Sequence, residues 1–487
     1  MARTFGVGDE IEAYFAVSGL YLSILHILQT GSLTVIFVPK YHRLKEICGR
    51  ASSYELITVV MNWLLLAAIF LVGLGIIFRS SLIDLRVPGF NEAKQLVCEN
   101  FLIWVLPLVI LDTCSAFIRC IINAEKIYGK PELVVSFSLF GQFVVAWSFS
   151  PTFGVQALIG GLYVSSIIRI LGFGAIVSKQ NYTYQLVFRS NYFEFRDIYS
   201  NLRLTTLYTL ATQSFLFAFD AALSNLQSGK FAIFHYYKKL FTLTQGMLMK
   251  PINIIFFNQF SNDFSNGKNT RKLKEDSLDL SLFFFSIVAV FGVIFLTDFL
   301  SIAFRDSNLK PKDISTLSYL FKISSFILLI NVYQQFLFKI VMVTGVVSKL
   351  YTMMSISQII TALFTLFFTP SISLLIAVGI MFFNGTVLLS CGIWLTLKDS
   401  REEFCFFKMF DLIRYTILGL GTCTVGLYIC RETKNYFEND TLVFVLNLIM
   451  VGLLLALWGN ILKIKEFALV SSKIRLGLSK CFWCREP

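Results

Sequence analysis

The sequence has little charge and no long polar segment. Only 15% of its 487 residues are Asp, Glu, Lys or Arg, whereas 56% are apolar, and the mean hydropathy is +0.71. A soluble protein of this length needs a charged surface over its core, which this composition cannot supply. We also expect no cleavable signal peptide, because the first apolar run lacks a basic leader and a small-residue cleavage site. The composition therefore predicts a polytopic membrane protein.

The cysteines form no recognisable disulfide framework. They are scattered, mostly within apolar runs, and only Cys481 and Cys484 near the C-terminus have C-x-x-C spacing. Because no second pair and no nearby histidine accompany them, we favour a structural or incidental role over a metal or redox site. We expect neither a metal nor a cofactor.

A bilayer core requires roughly 20 apolar residues per helix, and on that measure the chain holds about 13 candidate spans. We predict an all-α fold of two repeat-related lobes, with about five and six helices, followed by two appended C-terminal helices. The spans lie at 11–38, 55–78, 98–124, 132–150, 155–177, 199–222, 231–260, 277–300, 315–344, 350–369, 372–397, 409–430 and 441–462. The predicted domains are an N-terminal lobe at 1–178, a cytoplasmic linker at 179–198, a second lobe at 199–397, two appended helices at 398–463 and a basic cytoplasmic tail at 464–487.

Lysines and arginines are concentrated in the predicted loops of one side, the side that includes the C-terminal tail. By the positive-inside rule this side is cytoplasmic. The formal net charge of +12 is then explained by topology and by attraction to anionic membrane lipids, and we expect no nucleic-acid partner.

A weak internal repeat supports the two lobes. The shift that places Lys130 on Lys349 also places Asp112 on Asn331, and helix order and loop lengths agree with it. The helix at 199–222 has no counterpart in the first lobe under this shift. We therefore expect a first lobe without its opening helix, either because the start is assigned too late or because the helix was lost.

Ionisable residues inside the predicted spans are costly and usually face a cavity or a partner helix. They are concentrated in the repeat-related span pairs, the first with the seventh and the third with the ninth, as is typical of a two-lobed transporter with a central polar cavity. The predicted cavity and substrate-binding residues are Glu12, His26, Asp112, Arg119, His235, Lys238 and Lys239.

Several of these charges have a structural alternative. Four of the charges in the predicted spans lie close enough to span ends to reach the headgroup layer, namely Glu12, Arg169, Asp220 and Lys322. Arg119 follows Asp112 by two helical turns, so these two could form a structural pair instead of contacting a ligand.

The histidine and the lysines also have structural alternatives. His26 could be a packed histidine. Lys238 and Lys239 point about 100° apart on a helix, so one of the two is expected to be structural.

Glycines and prolines interrupt the first, third and seventh spans, where irregular backbone is tolerated if it lines protein or water. Pro107 interrupts the third span. The predicted hinge residues are Gly31, Pro39, Gly246 and Pro251.

Four stretches of the chain carry a family resemblance. They are residues 2–41, with Gly6, Gly8, Glu12, Ala13, Gly31, Phe37, Val38 and Pro39; "VPGF" at 87–90; "IINAEKIYGKPEL" at 121–133; and residues 223–261, with Ser224, Leu226 and Gly229. In their order and spacing these stretches resemble the MurJ (MviN) lipid II flippase family of the multidrug/oligosaccharidyl-lipid/polysaccharide (MOP) flippase superfamily. The resemblance covers most of the chain.

The resemblance implies a flippase fold with one more opening helix than the chain shows. It also implies a central cationic cavity for an undecaprenyl-linked saccharide head and a groove for the lipid tail between the last two helices. Leu25 and His26 stand where the family has an arginine pair, and Lys238 stands where it has an acid. Lys239 keeps a cation at a cavity-arginine position, although lysine cannot make the same bidentate diphosphate contact.

We predict a flippase, not an enzyme. It would move a polyprenyl-diphosphate-linked saccharide across the cytoplasmic membrane by alternating access, coupled to an ion or to the membrane potential. The cargo is either the peptidoglycan precursor lipid II or a related lipid-linked polysaccharide unit. Lys239, His26 and Arg119 would attract the diphosphate, and Glu12 would pair with a cavity cation.

Other functions remain open. The chain could be a polysaccharide repeat-unit exporter, or a truncated paralogue that transports nothing. A drug or cation antiporter should have cavity carboxylates, whereas the bias here is towards cations. A membrane glycosyltransferase should carry an acidic pair in a large outer loop, and the loop at 79–97 offers only Asp84 and Glu92.

Overall fold

A computed structural model of the protein describes residues 2–28, 32–125, 127, 129–180, 182, 184, 186–188, 194–265, 267–304, 307–343 and 347–399, with single positions between 421 and 453. Every regular element in this part of the chain is helical. The helices are α1 (Ala2–Phe5), α2 (Asp9–Leu28), α3 (Ser32–Ile77), α4 (Arg79–Arg86), α5 (Glu92–Val105), α6 (Leu108–Ala124), α7 (Lys130–Phe153), α8 (Gln156–Ser178), α9 (Glu194–Leu223), α10 (Lys230–Ser265), α11 (Arg271–Ala303), α12 (Pro311–Val343), α13 (Val347–Phe368) and α14 (Leu374–Asp399), and a 3₁₀ turn at Thr369–Ser371 precedes α14.

The predicted all-α membrane fold is confirmed. Among the described residues, 7 helices are long and apolar enough to cross a bilayer, or up to 9 if each of two bent pairs is one span. The count of about 13 spans stays a prediction. The spans at 409–430 and 441–462 lie largely outside the described residues, and the tail with Cys481 and Cys484 lies entirely outside them.

The predicted loop between the first two spans is helical. The predicted span 11–38 corresponds to two helices, since α2 ends at Leu28 and α3 begins at Ser32. From there α3 continues through the predicted loop at 39–54, with a kink at Gly49, where φ is 88°. Hydropathy locates apolar segments, but a helix can extend beyond them because it satisfies its own backbone hydrogen bonds.

The third predicted span is broken at its proline, as expected. Its two halves, α5 and α6, are bent by 40°, and Pro107 directly precedes α6. Proline has no N–H to donate and its ring clashes with the preceding turn, which explains the break.

Three of the four predicted hinge positions lie inside described helices. The helix α3 runs through Pro39, and α10 runs through Gly246 and Pro251. Gly31 lies outside the described residues. The hinge role of these residues stays a prediction.

The chain forms two compact units. Unit 1 comprises Met1–Ala232 and Tyr351–Ala377, and unit 2 comprises Ile233–Leu350 and Val378–Pro487. In unit 1, α7 and α8 form a helical hairpin, α2 packs against α5, and α3, α6 and α8 enclose an apolar core. In unit 2, α11 packs against α12.

The placement of α9 matters for the site. The repeat assigns this helix to the second lobe, whereas in the structure it packs on α2, α3 and α4 and belongs to unit 1. Unit 1 therefore contains contacts between helices of the predicted first lobe and the opening helix of the predicted second lobe.

Candidate functional site

The ends of α2, α4 and α5 meet the turn between α9 and α10 inside unit 1. Asn91 caps α5 by accepting a hydrogen bond from the backbone N–H of Lys94 at 2.9 Å, which fixes Lys94 in the first helical turn. We call this region the junction. Its residues are Asp9, Glu12, Arg86, Gly89, Phe90, Lys94, Asp220, Ser224, Ser228, Phe231 and Ala232.

Lys94 lies between two acids of α2. Its Nζ is 2.6 Å from Glu12 Oε2 and 2.8 Å from Asp9 Oδ1. The Lys94 and Glu12 side chains are 7% and 1% exposed, whereas Asp9 is largely exposed. The first turn of a helix disfavours a cation because its N–H groups point outward. The charge of Lys94 is therefore stabilised by these carboxylates, and the buried charge of Glu12 is stabilised by Lys94.

The second oxygen of Glu12 reaches a third helix. Oε1 accepts a hydrogen bond from the backbone N–H of Ala232, in the first turn of α10, at 3.1 Å. Nearby, Ser228 Oγ donates to Asp9 Oδ1 at 3.0 Å. The first N–H groups of a helix have no intrahelical partner, and a carboxylate there also stabilises the helix dipole. Glu12 thus joins α2, α5 and α10.

A second buried ion pair joins α4 to α9. Arg86 Nη2 donates to Asp220 Oδ2, and both side chains are 2% exposed. The guanidinium carbon lies 4.3 Å from the centre of the Phe217 ring, a cation–π contact. The helix α2 makes room for the guanidinium at Gly19, where a Cβ would lie 2.6 Å from Arg86 Nη2.

Backbones also approach closely at the junction. The Gly89 N–H donates to Ser224 Oγ at 2.9 Å, and a Cβ on Gly89 would lie 2.6 Å from the Ser224 backbone. Phe90 packs edge-on against Phe231 with 5.2 Å between ring centres. The "VPGF" stretch is therefore a contact surface for the end of α9, and glycine is required there for space.

A third polar network lies deeper in unit 1, around Asp112 of α6. Its carboxylate accepts hydrogen bonds from Tyr21 of α2, from Ser166 of α8 at 2.6 Å and from Arg169 of α8 at 2.8 Å. Asp112 is 4% exposed. Because its oxygens are satisfied by three neighbouring donors, the network ties α2, α6 and α8 together.

At the opposite end of the α5–α6 span, Glu125 follows α6. Lys45 Nζ and Arg50 Nη2 lie 3.0 and 3.2 Å from its Oε2. Tyr41 and Tyr54 both donate to its Oε1. Burial raises the pKa of this carboxyl, but hydrogen bonds from Tyr41 and Lys45 and the neighbouring cations outweigh burial and lower the pKa to about 2. We call these five residues the Glu125 cluster.

The structure places the predicted site residues of unit 1 as follows. Glu12 pairs with Lys94 and Asp112 with Arg169, and both acids are buried. Arg119 does not pair with Asp112; its Nη2 contacts Glu132 on an exposed surface. His26 is exposed on α2. Of the four residues suggested to reach the headgroup layer, Glu12 and Asp220 are instead buried against Lys94 and Arg86. For Arg169 and Lys322 the suggestion stays a prediction.

The remaining predicted site residues lie on α10 in unit 2. His235 is buried, Lys238 is half-buried and Lys239 is exposed. A cavity shared by these α10 residues and His26 stays a prediction.

Sequence reasoning missed the cations of the junction. Arg86 and Lys94 lie in the predicted loop at 79–97. Basic residues are common in loops, so these two do not indicate a site. One signal was available for Lys94: it follows a capping asparagine by three residues, and a cation in a first turn suggests an acidic partner. Nothing local marks Arg86, whose partner Asp220 is 134 residues away.

A model of the lipid II flippase MurJ family matches residues 1–452 of the chain. The chain is similar to a probable lipid II flippase MurJ of Buchnera aphidicola subsp. Acyrthosiphon pisum, with 23% identity over 294 residues, 58% of this chain and 56% of the relative. A probable lipid II flippase MurJ of Rickettsia prowazekii is 21% identical over 313 residues, 61% of this chain and 59% of the relative. The chain thus spans somewhat more than half the length of these curated relatives.

Solved structures show the same fold. A lipid II flippase MurJ in an inward closed conformation superposes with a TM-score of 0.75 at 17% identity, covering 94% of both chains. An inward-facing multidrug resistance MATE family transporter of the MOP superfamily gives a TM-score of 0.67 at 14% identity, covering 81% of this chain and 92% of that one. At these identities the likeness shows the fold alone.

The family match confirms the resemblance first seen in the four sequence stretches, and it identifies a family of transporters, not enzymes. With residues 1–452 matched, the chain belongs to the lipid II flippase MurJ family.

Proposed function

We propose that the protein is a flippase that carries a polyprenyl-diphosphate-linked saccharide across the bacterial inner membrane by alternating access. The family match over residues 1–452 is the observation that carries this proposal. A charged saccharide head does not cross hydrocarbon unaided, because charged groups are costly there. The cargo is lipid II or a related lipid-linked polysaccharide unit, and an ion or the membrane potential supplies the coupling.

The junction supports alternating access. It joins α2, α4 and α5, which the repeat assigns to the first lobe, to α9 and the start of α10, which the repeat assigns to the second lobe. In the predicted topology the C-terminus is cytoplasmic, and the span ends that form the junction are then on the outer side of the membrane. We propose that the junction closes the outer side in the described state. Its ion pairs then separate when the outer side opens, with water replacing the lost partners.

For the cargo contact we propose Lys239 of α10 and His26 of α2. Both side chains are exposed on helices that lie in predicted spans, where a polar group usually marks a substrate path. Asp112 and Arg119 are instead held by Arg169 and Glu132, and we propose structural roles for them.

The cargo can be tested by complementation. We expect the chain to restore growth of bacteria depleted of their essential lipid II flippase, if lipid II is the cargo. A lysine in place of a cavity arginine favours a second candidate, a lipid-linked polysaccharide unit. A parallel arm therefore uses cells without their polysaccharide repeat-unit exporter, with surface polysaccharide as the measurement. Failure in both arms by a protein that accumulates in the membrane would contradict the proposed function.

The cargo role of Lys239 can be tested in whichever arm succeeds. Lys239→Ala should reduce transport strongly, and Lys239→Arg should retain it, because a cation remains. Lys272→Ala is the matched control, since Lys272 is an exposed lysine of α11 in the same unit. Equal transport by Lys239→Ala and Lys272→Ala would exclude a cargo contact at Lys239.

A further inference from the structure

The chain that follows α8 lies along α3. Gln180, Tyr182, Tyr184 and residues 186–188 are not helical, and we call these described residues the strap. Their partners on α3 are Arg50, Tyr54, Thr58, Asn62 and Trp63. The first four of these recur every fourth residue, so they share one face of α3.

Backbone carbonyls of the strap are bound by side chains of α3. Tyr54 donates to the carbonyl of Gln180 at 3.3 Å, and Asn62 Nδ2 donates to that of Val187 at 2.7 Å. Trp63 Nε1 donates to the carbonyl of Phe188 at 3.1 Å. Non-helical backbone beside a membrane span is tolerated only where its polar groups have partners. The α3 donors supply these partners next to the candidate span Leu44–Ile77.

Asn62 is the centre of this contact. Its side chain is 3% exposed, within a helix apolar enough to cross a bilayer. A buried amide is costly without hydrogen bonds. The strap satisfies both ends of the amide, because Tyr184 donates to Oδ1 at 2.6 Å while Nδ2 binds the Val187 carbonyl.

Ring contacts flank Asn62 on both sides. Tyr182 packs edge-on against Tyr54 with 5.1 Å between ring centres, and its hydroxyl lies 2.9 Å from Thr58 Oγ1. Phe188 packs edge-on against Trp63 at 5.9 Å. Departure of the strap would expose these rings and leave the Asn62 amide without the two partners described above.

We propose that the strap is a permanent anchor, held on α3 by Asn62 and Trp63, that fixes the beginning of the predicted inter-lobe linker to unit 1. The strap, up to Phe188, then stays on α3 throughout the transport cycle. Fewer residues separate Phe188 from Glu194, where α9 begins, than separate Ser178, the end of α8, from Glu194. The place of the strap in that cycle rests on the proposed function, but its attachment to α3 does not.

Attachment can be measured by thiol labelling at Val187→Cys, whose side chain is half-buried in the docked strap. Labelling is done in inside-out membrane vesicles, because the predicted linker at 179–198 is cytoplasmic and a membrane-impermeant maleimide does not reach that side in intact cells. The signal is counted above the background of the same chain without this cysteine. We expect Asn62→Leu to raise the labelling rate roughly tenfold, the factor given by loss of an ordinary hydrogen bond or two. Trp63→Phe keeps the ring contact and loses one donor, so we expect roughly a threefold rise.

Ser52→Ala is the matched control, because Ser52 is a half-buried residue of α3 whose hydroxyl donates to the Cys48 carbonyl within its own helix. The Val187→Cys chain with Ser52→Ala should label at the same rate as the Val187→Cys chain alone. Unchanged labelling in Asn62→Leu would overturn the anchor; if Asn62→Leu does not accumulate, Trp63→Phe decides in the same way. If labelling of the Val187→Cys chain without a further substitution accelerated when the vesicles are energised, permanent attachment would be overturned.

The role in the cycle is read from transport. Asn62→Leu and Trp63→Phe should lower transport relative to Ser52→Ala. Increased labelling with unchanged transport would overturn the role in the cycle. A parent chain that transports nothing would contradict the proposed function, while the labelling comparison would still decide whether the strap is anchored.

Discussion

The two ends of unit 1 use charge differently. At the junction, the ion pairs Lys94–Glu12 and Arg86–Asp220 have side chains 7% exposed or less. In the Glu125 cluster the acid is 9% exposed, but Lys45 and Arg50 are 33% and 41% exposed. Exposed pairs are screened by water and salt, whereas breaking a buried pair leaves an uncompensated charge.

This difference separates two kinds of contact. The junction should form completely or not at all, because neither half of a buried pair is stable alone. The Glu125 cluster should respond gradually to pH and salt. A contact that closes one side of a transporter must form completely or not at all. This is why we propose that the junction, and not the Glu125 cluster, closes the outer side.

The largest expected effect comes from removing the junction lysine. Lys94→Met leaves Glu12 buried without a cation and should lower the free energy of unfolding by about 3–5 kcal/mol. Arg50→Ala, at the exposed end, should cost less than about 1 kcal/mol. Thermal unfolding of both variants in the same detergent measures the contrast.

The double variant Lys94→Met/Glu12→Gln is the control for this prediction. It removes both charges, so it should recover much of the stability lost in Lys94→Met. If Lys94→Met were no more destabilising than Arg50→Ala, the junction pair would be solvated and the contrast between the two ends would fail.

Steric pressure on the second junction pair should have an intermediate effect. In Gly19→Ala the new Cβ would lie 2.6 Å from Arg86 Nη2 and 3.3 Å from Asp220 Oδ2. We expect a loss of about 1–3 kcal/mol as the guanidinium is displaced.

Gly73→Ala is the matched control for Gly19→Ala. Gly73 is also helical, and nothing lies within 4 Å of its Cβ position. This substitution should be neutral or stabilise by up to about 1 kcal/mol. If both variants unfolded at the same temperature, Arg86 would not be confined by α2.

The sequence predicts the helical membrane fold well, because apolar runs of bilayer length and a proline break at Pro107 are local features. It also marks Glu12 and Asp112, since carboxylates in apolar spans stand out, although their predicted cavity role stays a prediction. It does not predict their partners. Arg86 and Lys94 lie in a stretch where cations are ordinary, and pairing with distant acids depends on tertiary packing, which no local spacing encodes.

The Glu125 cluster should make stability depend on acid pH. The folded pKa of Glu125 is lowered to about 2 from an ordinary value of 4.5. Its contribution is therefore complete above pH 4.5 and is lost as the pH falls from 4.5 through 2, because the unfolded chain takes up the proton first. Thermal unfolding across this range should fall more steeply for the parent than for Glu125→Gln. Parallel curves would show that Glu125 is not held by its cations.

The smallest expected effect is at Arg119. This prediction compares two ion pairs of α6, the exposed pair of Arg119 with Glu132 and the pair of the buried Asp112 with Arg169. Arg119 and Glu132 have side chains 38% and 67% exposed, so Arg119→Ala should cost less than about 1 kcal/mol, and salt should reduce that cost further. Arg169→Ala should cost more, because it leaves Asp112, 4% exposed, without its cation. Unfolding temperatures at low and high salt measure both. If Arg119→Ala were as costly as Arg169→Ala, Arg119 would be the cation that holds Asp112, as its two-turn spacing first suggested.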